Sequence, residues 1–288
     1  GEPLLHPDLD ELIRRIRARG MIAGLLTNGY LLTRERIERL NAAGLDRLQI
    51  SIDNVVPNDV SRKSLKVLDG KLRLLAEHAE FDVNINSVVG AAVGSGKDAV
   101  AIAERARAFG FTASVGLVHD GSGQAVALTD QHRAAYERIV SLARGFYSHA
   151  HDHLFQRNLV MGRPNAWHCG AGGRYLYVCE DGLVHWCSQQ RGHPAIPLER
   201  YGQADLDRER EAPKSCAPYC TVLCVHRVAL VDQIRDRPLE TIEALMAAHV
   251  QAGGRPPATV RLLVWAFVTG PYYRTMRKVV ARFVIGSW

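Results

Sequence analysis

With 288 residues, of which 47% are hydrophobic and 23% charged, the chain has ordinary globular composition and length for one large domain plus a smaller one. That balance excludes a disordered or fibrous protein. The formal charge of +6 resides in a final stretch where Arg255, Arg261, Arg274, Arg277, Lys278 and Arg282 occur with no Asp or Glu. The remainder is near neutral, so no basic face for nucleic acid is indicated and no nucleic-acid partner is expected. The chain opens without a charged segment followed by an apolar run, and the expected location is the cytoplasm.

Residues 1–150 alternate β-rich runs with amphipathic helices, the pattern of a parallel sheet with crossover helices. The opening GEPLLHPDL reads as the end of a strand entering a helix, in which Leu9, Leu12, Ile13 and Ile16 recur at helical spacing before Gly20. Strands are predicted at MIAGLL from Met21, DRLQISI from Asp46, FDVNINSV from Phe81 and FTASVGLV from Phe111. Between the first two, Thr33 is the N-cap of a helix that ends at Gly44. Leu65, Leu68, Leu72 and Leu75 mark the next helix, and Ile102, Ala106 and Phe109 another. Repeats of this size suit an open doubly wound sheet or a barrel equally, and periodicity cannot choose between them.

From about Asn158 the chain turns to Gly, Cys, Trp and Tyr with short strands, and residues 159–232 read as a second, Cys-rich α+β domain. Five of its six cysteines stand in two spaced groups while the long βα region has none, which points to metal ligation rather than disulfides. Within LYVCEDGLVHWC, Asp181 and Gly182 are expected as a two-residue hairpin turn. That register sets Cys179 opposite Val184, on the other face from Cys187, as a buried small hydrophobe rather than a ligand. Residues 238–288 read as a helical, basic extension. Its LLVWAFV run is too short to cross a bilayer, and Pro271 splits it, leaving helices packed on the barrel or contact with an anionic membrane surface.

Strand ends carry the reactive groups of parallel α/β barrels. Here they are polar: Gly1, Glu2 and Pro3; Thr27, Asn28 and Gly29; Ser51 and Asp53; Asn84 and Asn86. GEP followed by HPDL, then TNG, then ISID resembles the S-adenosylmethionine (SAM)-binding half of the radical SAM superfamily, in that order and at similar spacing. The resemblance implies a partial (β/α) TIM-like barrel. By it, Gly1, Glu2 and Pro3 bind the methionine amino group of SAM, Thr27 and Asn28 lie near its methionine portion, Ser51 and Asp53 near the ribose or substrate, and Asn86 is a further contact. A carboxylate suits a charged amino group, which carries three donors. The family's CxxxCxxC loop, which ligates the SAM-bound [4Fe–4S] cluster, is not in this chain, where no cysteine precedes Cys169. The expectation is that the chain starts one strand late and by itself does not cleave SAM.

Cys169, twelve residues, Gly182, four residues and Cys187 match the CX9–15GX4C opening of the SPASM or twitch extension of that superfamily. Cys216, Cys220 and Cys224 follow at intervals of four in KSCAPYCTVLCVHR. The resemblance implies one auxiliary [4Fe–4S] cluster held by Cys169, Cys187, Cys224 and one of Cys216 or Cys220. Four thiolates would equally satisfy structural zinc. The activity implied is formation of a 5′-deoxyadenosyl radical that abstracts hydrogen from a substrate, with an electron donor such as flavodoxin or ferredoxin. A peptide is the leading substrate class, a small metabolite the next. A non-catalytic SAM- or zinc-binding scaffold is the alternative of a different kind.

Overall fold

The computed structural model describes residues 1–90, 95–142 and 151–237, with a few isolated positions beyond. The basic extension therefore lies almost wholly outside the described residues, and so does the choice between packing and membrane contact. No described helix is long and apolar enough to cross a membrane. The chain divides into two units. One comprises Gly1–Asp152, Gln156–Asn165 and Pro218–Leu223; the other comprises His153–Phe155, Ala166–Ala217 and the residues from Cys224 on.

In the first unit, a short turn of helix at Pro3–Leu5 leads into α1 (Leu9–Ala18) and β1 (Gly24–Thr27). This strand begins three residues later than MIAGLL suggested. Gly20 turns left-handed at φ +71°, the Arg17 guanidinium holds the Met21 carbonyl at 2.9 Å, and Met21 and Ile22 remain exposed. The next helix, α2 (Arg34–Ala43), has the expected bounds: the Thr33 hydroxyl accepts from the Arg36 N–H at 3.1 Å, and Gly44 closes the helix at φ +82°. Then follow β2 (Arg47–Ile52), α3 (Leu65–His78), β3 (Asp82–Val89), α4 (Gly96–Ala108), β4 (Thr112–Leu117) and α5 (Asp130–Leu142).

The four strands are parallel and lie in chain order, β1-β2-β3-β4. A doubly wound sheet reverses its order at a switch point; this sheet does not. Alternate residues separate its faces. Leu25, Leu48, Ile50, Ile52, Val83, Ile85, Val115 and Leu117 join Ile13, Leu40, Leu72, Ile102 and Tyr136 of the helices in one core. The opposite face is polar, because Gln49, Asn84 and Ser51, Asn86, Ser114 occupy the alternate positions in matching register.

After α5 the described chain continues through a π-helical turn, Asp152–Gln156, into α6 (Arg157–Val160). In the second unit β5 (Tyr177–Val178), β6 (Leu183–His185) and β7 (Pro194–Pro197) make a small antiparallel sheet, followed by α7 (Gln203–Glu211). A last helix, α8 (Leu223–Asp236), begins in the first unit and runs into the second. The hairpin register differs from the two-residue expectation: Val178, not Cys179, faces Val184. Cys179 donates its N–H to Leu183 and accepts from the Gly182 N–H at 3.1 Å. The loop is thus Glu180, Asp181 and Gly182, with Gly182 at φ +74°, which is the three-residue turn with a left-handed last position.

Candidate functional site

In the first unit Glu2 joins the loop ahead of α1 to the end of β1. Its Oε1 accepts from the Thr27 hydroxyl at 2.6 Å and the Leu4 N–H at 3.0 Å, and its Oε2 accepts from the Asn28 N–H at 2.9 Å. Thr27 Oγ1 in turn accepts from the Gly29 N–H at 3.1 Å. The structure therefore brings Glu2, Thr27 and Asn28 together, with Gly1 and Pro3 beside them in sequence. A carboxylate has about four acceptor positions, so Oε2 retains capacity for one more donor.

Asp53, just past β2, is engaged elsewhere. Its buried carboxylate accepts from Ser61 Oγ at 2.7 Å and pairs with Lys63 Nζ at 3.0 Å, holding the loop that precedes α3. Ser51 and Asn86 are register partners on the polar face, and Ser114 continues the row. Ser114 Oγ donates to Asn86 Oδ1 at 2.9 Å and accepts from Asn84 Nδ2 at 2.8 Å; that amide also donates to Gln49 Oε1 at 3.1 Å. A Cβ on Gly116 would stand 3.2 Å from the Asn86 amide nitrogen, so the glycine makes room for this network. Gln49, Ser114 and Gly116 were missed in the reading of strand ends, although their signal is present. Polar or small residues fall at every second position of LQIS, VNINS and TASVG.

The thiols of Cys169, Cys187, Cys216 and Cys224 all belong to the second unit. Burial pushes Cys169 up to about 11; the Ala171 N–H and Lys214 oppose the rise, and Cys216 and Cys187 add to it. Burial also raises Cys187, against hydrogen bonds to its sulfur from the Gln189 and Gln190 N–H groups. Cys216 is raised by burial and by Cys187. Tyr175 is raised by burial and then by Cys224 and Cys187, which brings Cys224 into the same electrostatic neighbourhood. Buried thiols beside backbone donors are a set whose thiolates are stabilised once a metal displaces their protons. Cys220 belongs to the first unit, where it bridges to Gln124 and its sulfur accepts from the Val222 N–H at 3.4 Å.

Among the described residues, one trio has ligand-type atoms within 4.8 Å of one another: Cys179, Asp181 and His185. It does not fit a metal. The Gly192 N–H donates to His185 Nδ1 at 3.1 Å, so the ring proton sits on Nε2 and goes to Asp181 Oδ2 at 3.1 Å. Ligation through Nε2 would force a proton onto Nδ1, against the Gly192 N–H. These side chains secure the hairpin turn, where Asp181 Oδ1 also accepts from the Leu183 N–H at 2.9 Å. Cys179 is half-buried rather than buried. Its thiol, ahead of the Glu180 N–H and Arg191, holds the exposed Glu180 carboxyl down at about 2.

Over 95 residues the chain is 39% identical to the AdoMet-dependent heme synthase of Methanosarcina barkeri, which covers 31% of this chain and 27% of that protein. Over 62 residues it is 39% identical to the PqqA peptide cyclase of Xanthomonas axonopodis pv. citri, covering 22% and 17% respectively. The chain thus spans well under a third of each relative. Its fold is similar to that of Streptococcus suis SuiB in the crystal structure with precursor peptide SuiA, with TM-score 0.50 and 16% identity over 74% of this chain and 53% of that one. Residues 1–123 match the model of the Radical SAM superfamily.

Proposed function

We propose that this chain belongs to a radical SAM enzyme acting on a peptide, with an auxiliary iron–sulfur centre in its second unit. The observation that carries the reading is the Glu2 junction, which falls within the radical SAM domain and holds the loop before α1 to the end of β1. The sheet order supports an arc of a barrel whose lumen is the polar face. SAM and its reduced cluster, when bound, supply the one-electron chemistry that ends in hydrogen abstraction from the substrate. The chain's own residues position and orient. Glu2 offers its remaining acceptor site to an amino group, Thr27 and Asn28 fix the direction of that carboxylate, and Ser51 and Asn86 present hydroxyl and amide groups on the lumen face. Asp53 shapes the rim through Ser61 and Lys63.

For the auxiliary centre the donor set fits. We assign Cys169, Cys187, Cys216 and Cys224 as its ligands and leave Cys220 out, because the four share one unit and one electrostatic neighbourhood. A single tetrahedral zinc ion needs sulfurs about 3.8 Å apart, as follows from Zn–S bonds near 2.3 Å. Among the described residues no three of these thiols come within 4.8 Å of one another. A cubane, whose ligands each bind a different iron, spreads its sulfurs more widely.

The peptide reading draws on relatives described as a PqqA peptide cyclase and as SuiB bound to a precursor peptide. The longer match to a heme synthase favours a small-molecule substrate as the second reading. The test is anaerobic assay of the full-length protein under dithionite for 5′-deoxyadenosine, with mass spectrometry of peptides encoded beside its gene. Absence of 5′-deoxyadenosine in a SAM-binding, cluster-loaded protein overturns the enzyme reading. Turnover without a mass change in any such peptide favours the small molecule.

A further inference from the structure

The second unit holds a cavity of about 620 Å³, lined by residues 166–174, the end of α7 and the second half of α8. Its lining carries four guanidinium groups, those of Arg174, Arg210, Arg235 and Arg237, against three carboxylates, those of Glu211, Asp232 and Glu240. Ion pairs on an open surface are worth little and need no ligand to explain them. These differ in being gathered round a concavity with a fixed wall. The Trp167 ring meets Phe155 edge-on at 5.3 Å and His226 at 5.0 Å, and its indole N–H donates to the Ala217 carbonyl at 2.7 Å. The half-buried ring is thereby held as one side of the cavity.

The pairs leave donors over. Arg174 directs Nε and Nη2 at Asp232, at 3.0 and 2.7 Å, in space that a Cβ on Gly170, 3.0 Å from Arg174 Cγ, would narrow. Arg210 uses Nε on Glu211 at 3.1 Å, and Arg237 approaches Glu240 only to 3.6 Å. A guanidinium has five N–H donors, so among the described residues Nη1 of Arg174 and both Nη groups of Arg210 keep theirs. The backbone beneath them is fixed: His168 Nε2 donates to the Arg210 carbonyl, and the buried Thr241 hydroxyl donates to the Arg237 carbonyl at 2.8 Å. Planar donors in excess favour a carboxylate, which the guanidinium fork matches. The interspersed carboxylates accept N–H groups, and the Trp167 wall suits an apolar side chain. A ligand that brings all three together is a peptide. A compact phosphate would face three carboxylates in the same space and leave the apolar wall unused.

We propose that this cavity binds an acidic segment of the peptide substrate, whose carboxylates take the remaining donors of Arg210 and Arg237 while an apolar side chain rests on Trp167. The inference rests on the peptide reading given above and adds a point of attachment that belongs wholly to the second unit. A volume of about 620 Å³ lies in the range that ligand sites occupy. Attachment of this kind is uniform binding. It holds the peptide alike before and during the reaction, so it acts on KM.

The test measures fluorescence anisotropy of two short labelled peptides on the full-length protein, one alternating Glu with Leu and the other alternating Gln with Leu. The acidic peptide should bind about tenfold or more tightly than the neutral one, the scale of a charged hydrogen bond. The paired reversal Arg210→Glu with Arg237→Glu should remove that advantage. The paired reversal Arg14→Glu with Arg138→Glu, on exposed side chains of the first unit, changes the net charge equally and should leave it in place. Equal affinity for the two peptides, or equal loss in the two paired reversals, overturns the proposal. Should the cavity reversal fail to fold, Glu240→Gln decides. It frees Arg237 from its carboxylate, so the acidic peptide must bind more tightly, and unchanged affinity again overturns the proposal. With a peptide encoded beside the gene that the enzyme modifies, the cavity reversal should raise KM about tenfold. A modified peptide whose KM does not move overturns this inference alone; the absence of any modified peptide overturns the peptide reading, and this inference with it.

Discussion

Glu2 accepts three hydrogen bonds from its own chain, so it acts on two levels. Replacing it with alanine removes the charge offered to an amino group and releases the Asn28 N–H and the Thr27 hydroxyl. In the full-length protein, Glu2→Ala is expected to weaken SAM binding by about 1.5 to 3 kcal/mol, the scale of a charged hydrogen bond; unchanged affinity by calorimetry in a folded variant would remove Glu2 from the site. A second residue-scale prediction concerns Cys169, whose thiol burial pushes from 9.0 to about 11. Because the folded value is the higher, its contribution is fully present below pH 9. It is lost as pH rises toward 11, where the unfolded chain ionises first. The loss amounts to about 2 to 3 kcal/mol at two pKa units. Denaturant unfolding of metal-free protein should show this slope between pH 9 and 11, and Cys169→Ala should flatten it. The same shift means that ligation displaces protons, so iron uptake should strengthen with pH.

At the scale of elements, close approach and buried polar partners decide what can change. A Cβ on Gly173 would come 2.6 Å from the Leu206 carbonyl oxygen and 2.7 Å from the Arg210 Cα. Those atoms are the backbone of α7 and cannot rotate aside. Gly173→Ala should therefore force the helix to shift, at about 1 to 3 kcal/mol by the usual cost of overpacking, and a melting temperature equal to the parent's would show the approach to be looser. In the first unit, fully buried Tyr136 on α5 donates to Asp152, and Arg157 pairs with the same carboxylate at 3.2 Å. Burial and the Asp152 charge both raise the Tyr136 phenol, so it remains the donor. Tyr136→Phe leaves a 4%-exposed carboxylate short of one partner, and about 1 to 3 kcal/mol of stability should be lost, as denaturant unfolding will measure.

For the whole molecule, the metal content is the sharpest measurement. Anaerobically reconstituted chain should be brown and hold iron and sulfide near four each if the auxiliary centre is a cubane. Cys169→Ala, Cys187→Ala, Cys216→Ala and Cys224→Ala should each abolish most of it. Cys220→Ala should retain it, since the Cys220 backbone forms a β-bridge with Gln124 in the first unit and its sulfur accepts from the Val222 N–H there, and Cys179→Ala should retain it because Cys179 serves the hairpin turn. Loss of iron from Cys220→Ala with retention in Cys216→Ala would reverse the assignment.

The sequence by itself determined the succession of βα units, the caps at Thr33 and Gly44, the polar strand ends and the family resemblance. These signals are local: a cap acts across three residues, alternation across two, and a motif keeps its own spacing. Even the polar-face row of Gln49, Asn84 and Ser114 was written in that alternation, though only parallel register set its members side by side. What the tertiary structure alone decided are pairings over long separations. Glu2 meets Asn28 across α1, and Lys214 meets Trp186 beside Glu209 of α7. The hairpin loop took three residues rather than two, which moved Cys179 out of the place opposite Val184. The proposed preference for Cys216 over Cys220 lay beyond spacing as well: Cys220 pairs its backbone with Gln124 in the first unit, whereas Cys216, four residues earlier, belongs to the second.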